Sequence, residues 1–142
     1  MHNLPQNGAL DLGNPSGDGL PNLLKFALNL APAAGDLLLQ KAATLADPNG
    51  QTLAALTGLP AFKLEVSGRG VFTFIQRRAA TLPGITYTVE WGDALDAMSI
   101  NPLAAYSFLS LDSTWERIAV TDSYTTAQKL TRFARLRIIY VP

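Results

Sequence analysis

The chain has 142 residues, enough for one domain with a substantial core, and 48% of them are hydrophobic against 15% charged. This composition excludes an intrinsically disordered chain. Eleven basic residues balance eleven acidic ones, so there is no electrostatic footprint for nucleic acid or an anionic membrane, and little charge keeps copies apart. Cysteine is absent, which removes disulfides and thiolate metal sites without fixing a compartment. No apolar run approaches the ~18 residues of a membrane-spanning helix. No basic stretch followed by an apolar run opens the chain. That leaves a cytoplasmic protein or a piece of a longer exported chain.

Residues 1–19 are rich in Gly, Asn, Pro and Asp and read as an irregular arm. A short helix is expected over residues 20–30. Pro21 suits its first turn. Leu20, Leu23, Leu24, Ala27 and Leu28 form one apolar stripe at helical spacing, and Asn29 and Pro32 mark the end. Residues 33–59 read as a variable insertion. "DLLLQKAATLA" has helical character, while Asp47-Pro48-Asn49-Gly50 is a hairpin-like turn.

From residue 60 the hydrophobic period is two. Phe62, Leu64 and Val66 alternate with Lys63, Glu65 and Ser67, and "SGRG" turns the chain into "VFTFIQRR". In "ITYTVEW", Ile85, Tyr87, Val89 and Trp91 share one face. In "RFARLRIIYV", Leu136, Ile138 and Tyr140 should face inward and Arg135 and Arg137 outward. "AYSFLSL" and "WERIAVTDS" supply further strands. Six or more short strands separated by turns predict a mainly β fold, an antiparallel β-sandwich of jelly-roll or fibronectin-like type over residues 20–142, led in by the loop and short helix.

The stretch "NPSGDGLPNLLK", residues 14–25, has the frame of an EF-hand-type calcium loop. Such a loop takes oxygen ligands at alternate positions, needs a glycine at the sixth and closes on a bidentate acid at the twelfth. Here the ligand positions fall on Asn14, Ser16, Asp18, the Leu20 carbonyl and Asn22, the glycine is Gly19, and the closing position is Lys25. One carboxylate survives, and a cation stands where the bidentate acid belongs. Calcium gains affinity from ligand charge, so no metal is expected. The Lys25 ammonium, with three donors, could gather the same oxygens instead.

"GDGLPNLLKFALNLAP" resembles the DxDGDGLPNLLEYALGLDP segment of a C-terminal module carried by many large secreted bacterial proteins, a thrombospondin-3-like calcium loop leading into a β-sandwich. "GLPAFKLE", "FTFIQRRAATLPGITYTVEWGDAL", "STWERIAVTDS" and "RFARLRI" resemble later stretches of the same module. Residues 33–58 lie outside the resemblance. It implies an exported, non-catalytic domain. Asn14, Ser16 and Lys25 depart from the acids of that family.

Little in the chain points to catalysis. The single histidine, His2, sits in the N-terminal arm with no third group to hold it. Paired carboxylates could serve a glycosidase. The candidates Glu90, Asp93 and Asp96, or Asp112 and Glu116, flank turns, where acids commonly bond the backbone. Arg77, Arg78, Arg132, Arg135 and Arg137 would form a basic strip if their strands adjoin, or a solvated face paired with Glu65, Glu90 and Glu116. Of the aromatics, Tyr87 and Trp91 belong to a core face. Trp115, Tyr124 and Tyr106 are the candidates for a ligand platform.

These readings converge on a non-catalytic attachment or interaction module, extracellular or at the cell surface, needing no cofactor and contacting protein or polysaccharide. A carbohydrate-binding module is one alternative. A self-assembling structural subunit is another, since a neutral, apolar chain with an irregular arm could dock on its own copies.

Overall fold

The computed structural model describes residues 21–30, 59–79 and 81–141, and the arm, most of the insertion and the 47–50 turn lie outside them. Among the described residues one short helix, α1 (Asn22–Ala27), precedes seven strands: β1 (Ala61–Leu64), β2 (Arg69–Arg77), β3 (Ile85–Gly92), β4 (Ser99–Ile100), β5 (Ala105–Ser110), β6 (Trp115–Thr125) and β7 (Phe133–Tyr140). They form two antiparallel sheets, β1-β2-β6-β5 and β4-β3-β7. The first order is the ABED order of an immunoglobulin-type sandwich, and the second matches its C′-C-F strands. The antiparallel β-sandwich expected from the sequence is therefore the fold observed. "SGRG" turns β1 into β2: Gly68, at a φ of 79°, donates its N–H to the Glu65 carbonyl at 2.9 Å.

The core lies between the central strands. Phe72 and Phe74 of β2 and Ile118 and Val120 of β6 meet Val89 and Trp91 of β3, with Tyr87, Ala134 and Leu136 packed against them. The alternation read in "ITYTVEW" therefore holds. So does that of β7, where Leu136, Ile138 and Tyr140 are half-buried and Arg135 and Arg137 exposed. Glu90, on the outer face of β3, pairs with Arg135, its cross-strand neighbour.

The first sheet is wider than the second and overhangs it at both edges. Phe62 and Leu64 stand in register with Phe72 and Gly70, on the inner face, yet are 48% and 58% exposed. The Phe62 ring approaches Trp91 at 6.4 Å between centroids and crosses directly over Gly70, where a Cβ would lie 2.5 Å from it. At the other edge, Tyr106 and Phe108 stand in register with Val120 and Ile118 and are also exposed. Alternation assigns a side chain to a face; it does not say whether a second sheet lies opposite.

β1 pairs only with Gly70–Thr73, and α1 lies beside the rest of β2, between it and β7. Leu28 and Leu30 pack on Ile75 and Trp115, and Phe26 meets Tyr140. The Tyr87 hydroxyl, from β3, donates to the Ala27 carbonyl at 2.8 Å and accepts the Arg77 backbone N–H at 3.2 Å. Asn29 ends the helix as expected. Its φ is 54°, and the Leu30 N–H reaches back to the Lys25 carbonyl at 2.8 Å, the six-to-one bond of a Schellman cap. The expected stripe is displaced: Leu23 and Leu24 are half-buried, whereas Lys25, Phe26, Ala27 and Leu28 are buried. A helix wedged between two sheets is covered on more than one side.

Candidate functional site

Polar side chains collect at one end of the sandwich. Asp122 lies on β6 in the alternating series Ile118, Val120, Asp122, so strand geometry turns it inward, and it is 1% exposed. A buried carboxylate needs partners. Arg132, just before β7, supplies a two-pronged one, with Nε on Oδ2 at 2.7 Å and Nη2 on Oδ1 at 3.0 Å. Asn101, just after β4, donates its Nδ2 to Asp122 Oδ1 at 2.9 Å and to the Ser123 hydroxyl at 2.8 Å.

The network continues outward. Arg132 Nη1 donates to Asp93, in the turn after β3, at 2.8 Å, and Lys129 Nζ donates to the other Asp93 oxygen at 2.6 Å. Lys129 and Arg132 also lie 5.5 and 5.1 Å from the centroid of the Tyr124 ring, within cation–π range. Hydrogen bonds from Lys129 and then Arg132 hold the Asp93 carboxyl below the usual carboxylate range. The bond to Asp93 raises Lys129, and the bond to Asp122 raises Arg132. Two cations thus face two acids.

These groups border a cavity of about 350 Å³ lined by Trp91, Asp93, Asn101, Tyr124, Lys129 and Arg132 among others. A second cavity of about 200 Å³ shares Tyr124, Lys129 and Arg132 and adds the apolar Phe62, Leu64 and Leu130. Together they form a cleft with donors and acceptors on one side, apolar side chains on the other, and Tyr124, 39% exposed, between them.

The three platform candidates stand apart. Tyr124 lies in the cleft. Tyr106 is on β5, outside it, stacked on Phe108 at 6.5 Å. Trp115, expected near the surface as a strand-end residue, is 6% exposed, packed against Leu28, Leu30 and Ile75, with the Arg77 guanidinium 4.5 Å from its ring centroid. The helix beside β2 covers it, so it offers no open face.

The arginines do not form a strip. Arg77 is buried at the helix, Arg78 bonds the Asp112 carbonyl, Arg132 sits in the cleft, and Arg135 and Arg137 flank Glu90. The carboxylate candidates are likewise separated. Asp112 accepts the Thr114 and Trp115 amides at 2.7 Å, a turn role, and Glu116 accepts from Gln76. Asp122, Asn101 and Lys129 were not singled out from sequence. The signal for Asp122 was present: an acid at an inward position of an alternating strand.

Of the calcium-like loop, Asn14, Ser16, Asp18, Leu20 and the Asn22 side chain lie outside the described residues. Lys25 is fully buried and is not without a partner. Among the described residues, no three of His, Cys, Asp and Glu gather as a metal site.

Fold and cleft together define an antiparallel β-sandwich with a charge-balanced cleft at one end. No protein-family model, no curated protein and no solved structure matches the chain.

Proposed function

We propose that this domain is a non-catalytic attachment module that binds a neutral polyhydroxylated ligand, a polysaccharide segment, in the end cleft. One observation carries the reading: the cleft presents two acids and two cations already paired, beside an aromatic ring and a row of apolar side chains. A charged ligand would have to break an existing ion pair. A sugar ring offers hydroxyls that both donate and accept, and an apolar face suited to Tyr124 and Phe62. The volume suits one or two sugar units. Glu90, Asp112 and Glu116 serve the fold, which supports a role without catalysis. The resemblance of residues 17–32 and the strand region to modules of secreted bacterial proteins supports a place outside the cell or on its surface.

Affinity electrophoresis through gels containing neutral polysaccharides tests the proposal. Retardation by at least one neutral glucan, mannan or xylan is expected, with loss of roughly tenfold or more in affinity for Tyr124→Ala and Asn101→Ala. Absence of retardation across the panel, or unchanged retardation of Tyr124→Ala, would overturn it.

A further inference from the structure

Among the described residues the two sheets have four edges, β1 and β5 in one and β4 and β7 in the other. An edge strand presents unpaired backbone N–H and C=O groups to any other strand, and natural edges are blunted by shortness, by Lys or Pro, or by a covering element. Three of these edges are blunted. β1 has four residues and carries Lys63, β4 has two residues, and β7 carries Arg135 and Arg137 and has α1 against it.

β5 has none of these devices. Its six residues, "AYSFLS", include no charge and no proline, its register with β6 is unbroken, and every one of them is exposed. Tyr106 and Phe108, 47% and 65% exposed, continue the core rows begun by Val120 and Ile118 past the limit of the second sheet. Leu103, just before the strand, and Leu109, on its other face, are 76% and 40% exposed.

We infer that β5 is the surface through which two copies of this domain pair, antiparallel, about a two-fold axis at Ser107, joining two four-stranded sheets into one of eight. A two-fold axis normal to the sheet keeps both inner faces on the same side. With Ser107 opposite its own copy, Tyr106 of each chain meets Phe108 of the other, and the exposed aromatic pair becomes a two-by-two block of four rings. The chain carries no net charge and β5 none at all, so nothing repels the second copy. The contact is independent of the saccharide reading, because no β5 residue lines the cleft.

Sedimentation velocity on the intact chain, without saccharide and over a wide concentration range, tests the pairing. A dimer is expected. Phe108→Lys should raise its dissociation constant by roughly 30-fold or more while leaving the β-sheet circular dichroism unchanged. Ser107→Cys introduces the chain's sole thiol, and paired Cα atoms roughly 4.5–5.5 Å apart across an antiparallel ladder lie within disulfide reach. Mild oxidation should cross-link it into covalent dimers, while Ser113→Cys, in the exposed turn before β6, should stay uncross-linked. A monomer at every concentration overturns the inference and leaves the edge to a foreign strand. So does a dimer that Phe108→Lys leaves intact. If Phe108→Lys does not fold, cross-linking of Ser107→Cys decides: efficient covalent dimer supports the contact, and its absence overturns it.

Discussion

Asp122 shows what one side chain can fix at the end of a sandwich. It is 1% exposed and accepts three hydrogen bonds, two from Arg132 and one from Asn101, and so ties β6 to the segments before β7 and after β4. Removing one member of a buried pair leaves the other desolvated, so Asp122→Ala should lower stability by about 3 kcal/mol in urea unfolding, with Asp122→Asn costing less because it keeps an acceptor for Asn101. Asp93 belongs to the same network but faces water, and its loss should matter far less. Its carboxyl is depressed by Lys129 and Arg132. A depressed acid stabilises the fold above its unfolded pKa, about 4, and that contribution is lost as the pH falls through the lower folded value. Unfolding midpoints of Asp93→Asn and the unmodified protein should therefore differ at pH 6 and converge in strong acid. A constant difference down to the lowest pH would show that the ion pairs are not its source.

At the scale of elements, α1 depends on how it ends as much as on what it buries. Asn29 at φ 54° sits where a β-branched residue is strained. Asn29→Val should cost about 1–2 kcal/mol in thermal or urea unfolding, and Asn29→Gly less than that, because glycine keeps the left-handed conformation. The Lys25 end of the calcium-like loop gives a second prediction. Neither chelator nor added calcium should shift the melting temperature of the unmodified chain. The combined change Asn14→Asp, Ser16→Asp and Lys25→Glu should make stability rise with calcium, because it restores ligand charge. A large calcium shift in the unmodified chain would show that oxygens alone suffice. β3, β7, the β1–β2 turn and the Asn29 stop were legible because each is dictated by local chemistry: period-two alternation, a glycine at positive φ, an Asn cap. The exposure of Phe62 and Tyr106 was not, since it depends on how many strands the opposite sheet contributes. Trp115 was misjudged for the same kind of reason. Its place at the start of β6 was read correctly, but the helix that covers it comes from some ninety positions earlier in the chain. The cleft was half legible, with Asp93, Arg132 and Tyr124 each noticed and their meeting hidden in the strand order.

For the whole molecule, Tyr87 is where the two sheets and the helix are joined. It rises from β3, stacks on Phe74 of β2 at 6.1 Å, donates its hydroxyl proton to the Ala27 carbonyl of α1 and accepts the Arg77 amide of β2. Burial disfavours the phenolate and pushes the pKa up to about 12, against the smaller opposing pull of the Arg77 amide and charge. In the unfolded chain the same phenol titrates near 10. The protonated form is the one that fits the fold, so its stabilisation is complete below about pH 10 and is lost as the pH climbs through 12, a change of roughly 2–3 kcal/mol across the window. Lys129, raised by Asp93, weakens the fold in the same alkaline range, so the unmodified protein alone cannot separate the two. Tyr87→Phe can. It keeps the ring in the core, gives up both hydrogen bonds and should be less stable than the parent at neutral pH. Its urea midpoint should fall less steeply between pH 9 and pH 12, by the share that the phenol supplied. Absorbance at 295 nm gives an independent reading: the Tyr87 phenol should ionise only together with unfolding, and that delayed fraction should be missing from Tyr87→Phe, whereas the Tyr106 phenol, also raised by burial, is present in both proteins. Equal alkaline slopes for the two proteins, with no delayed phenol lost in Tyr87→Phe, would mean that the hydroxyl is open to solvent and that the sheets are held to the helix by apolar packing alone.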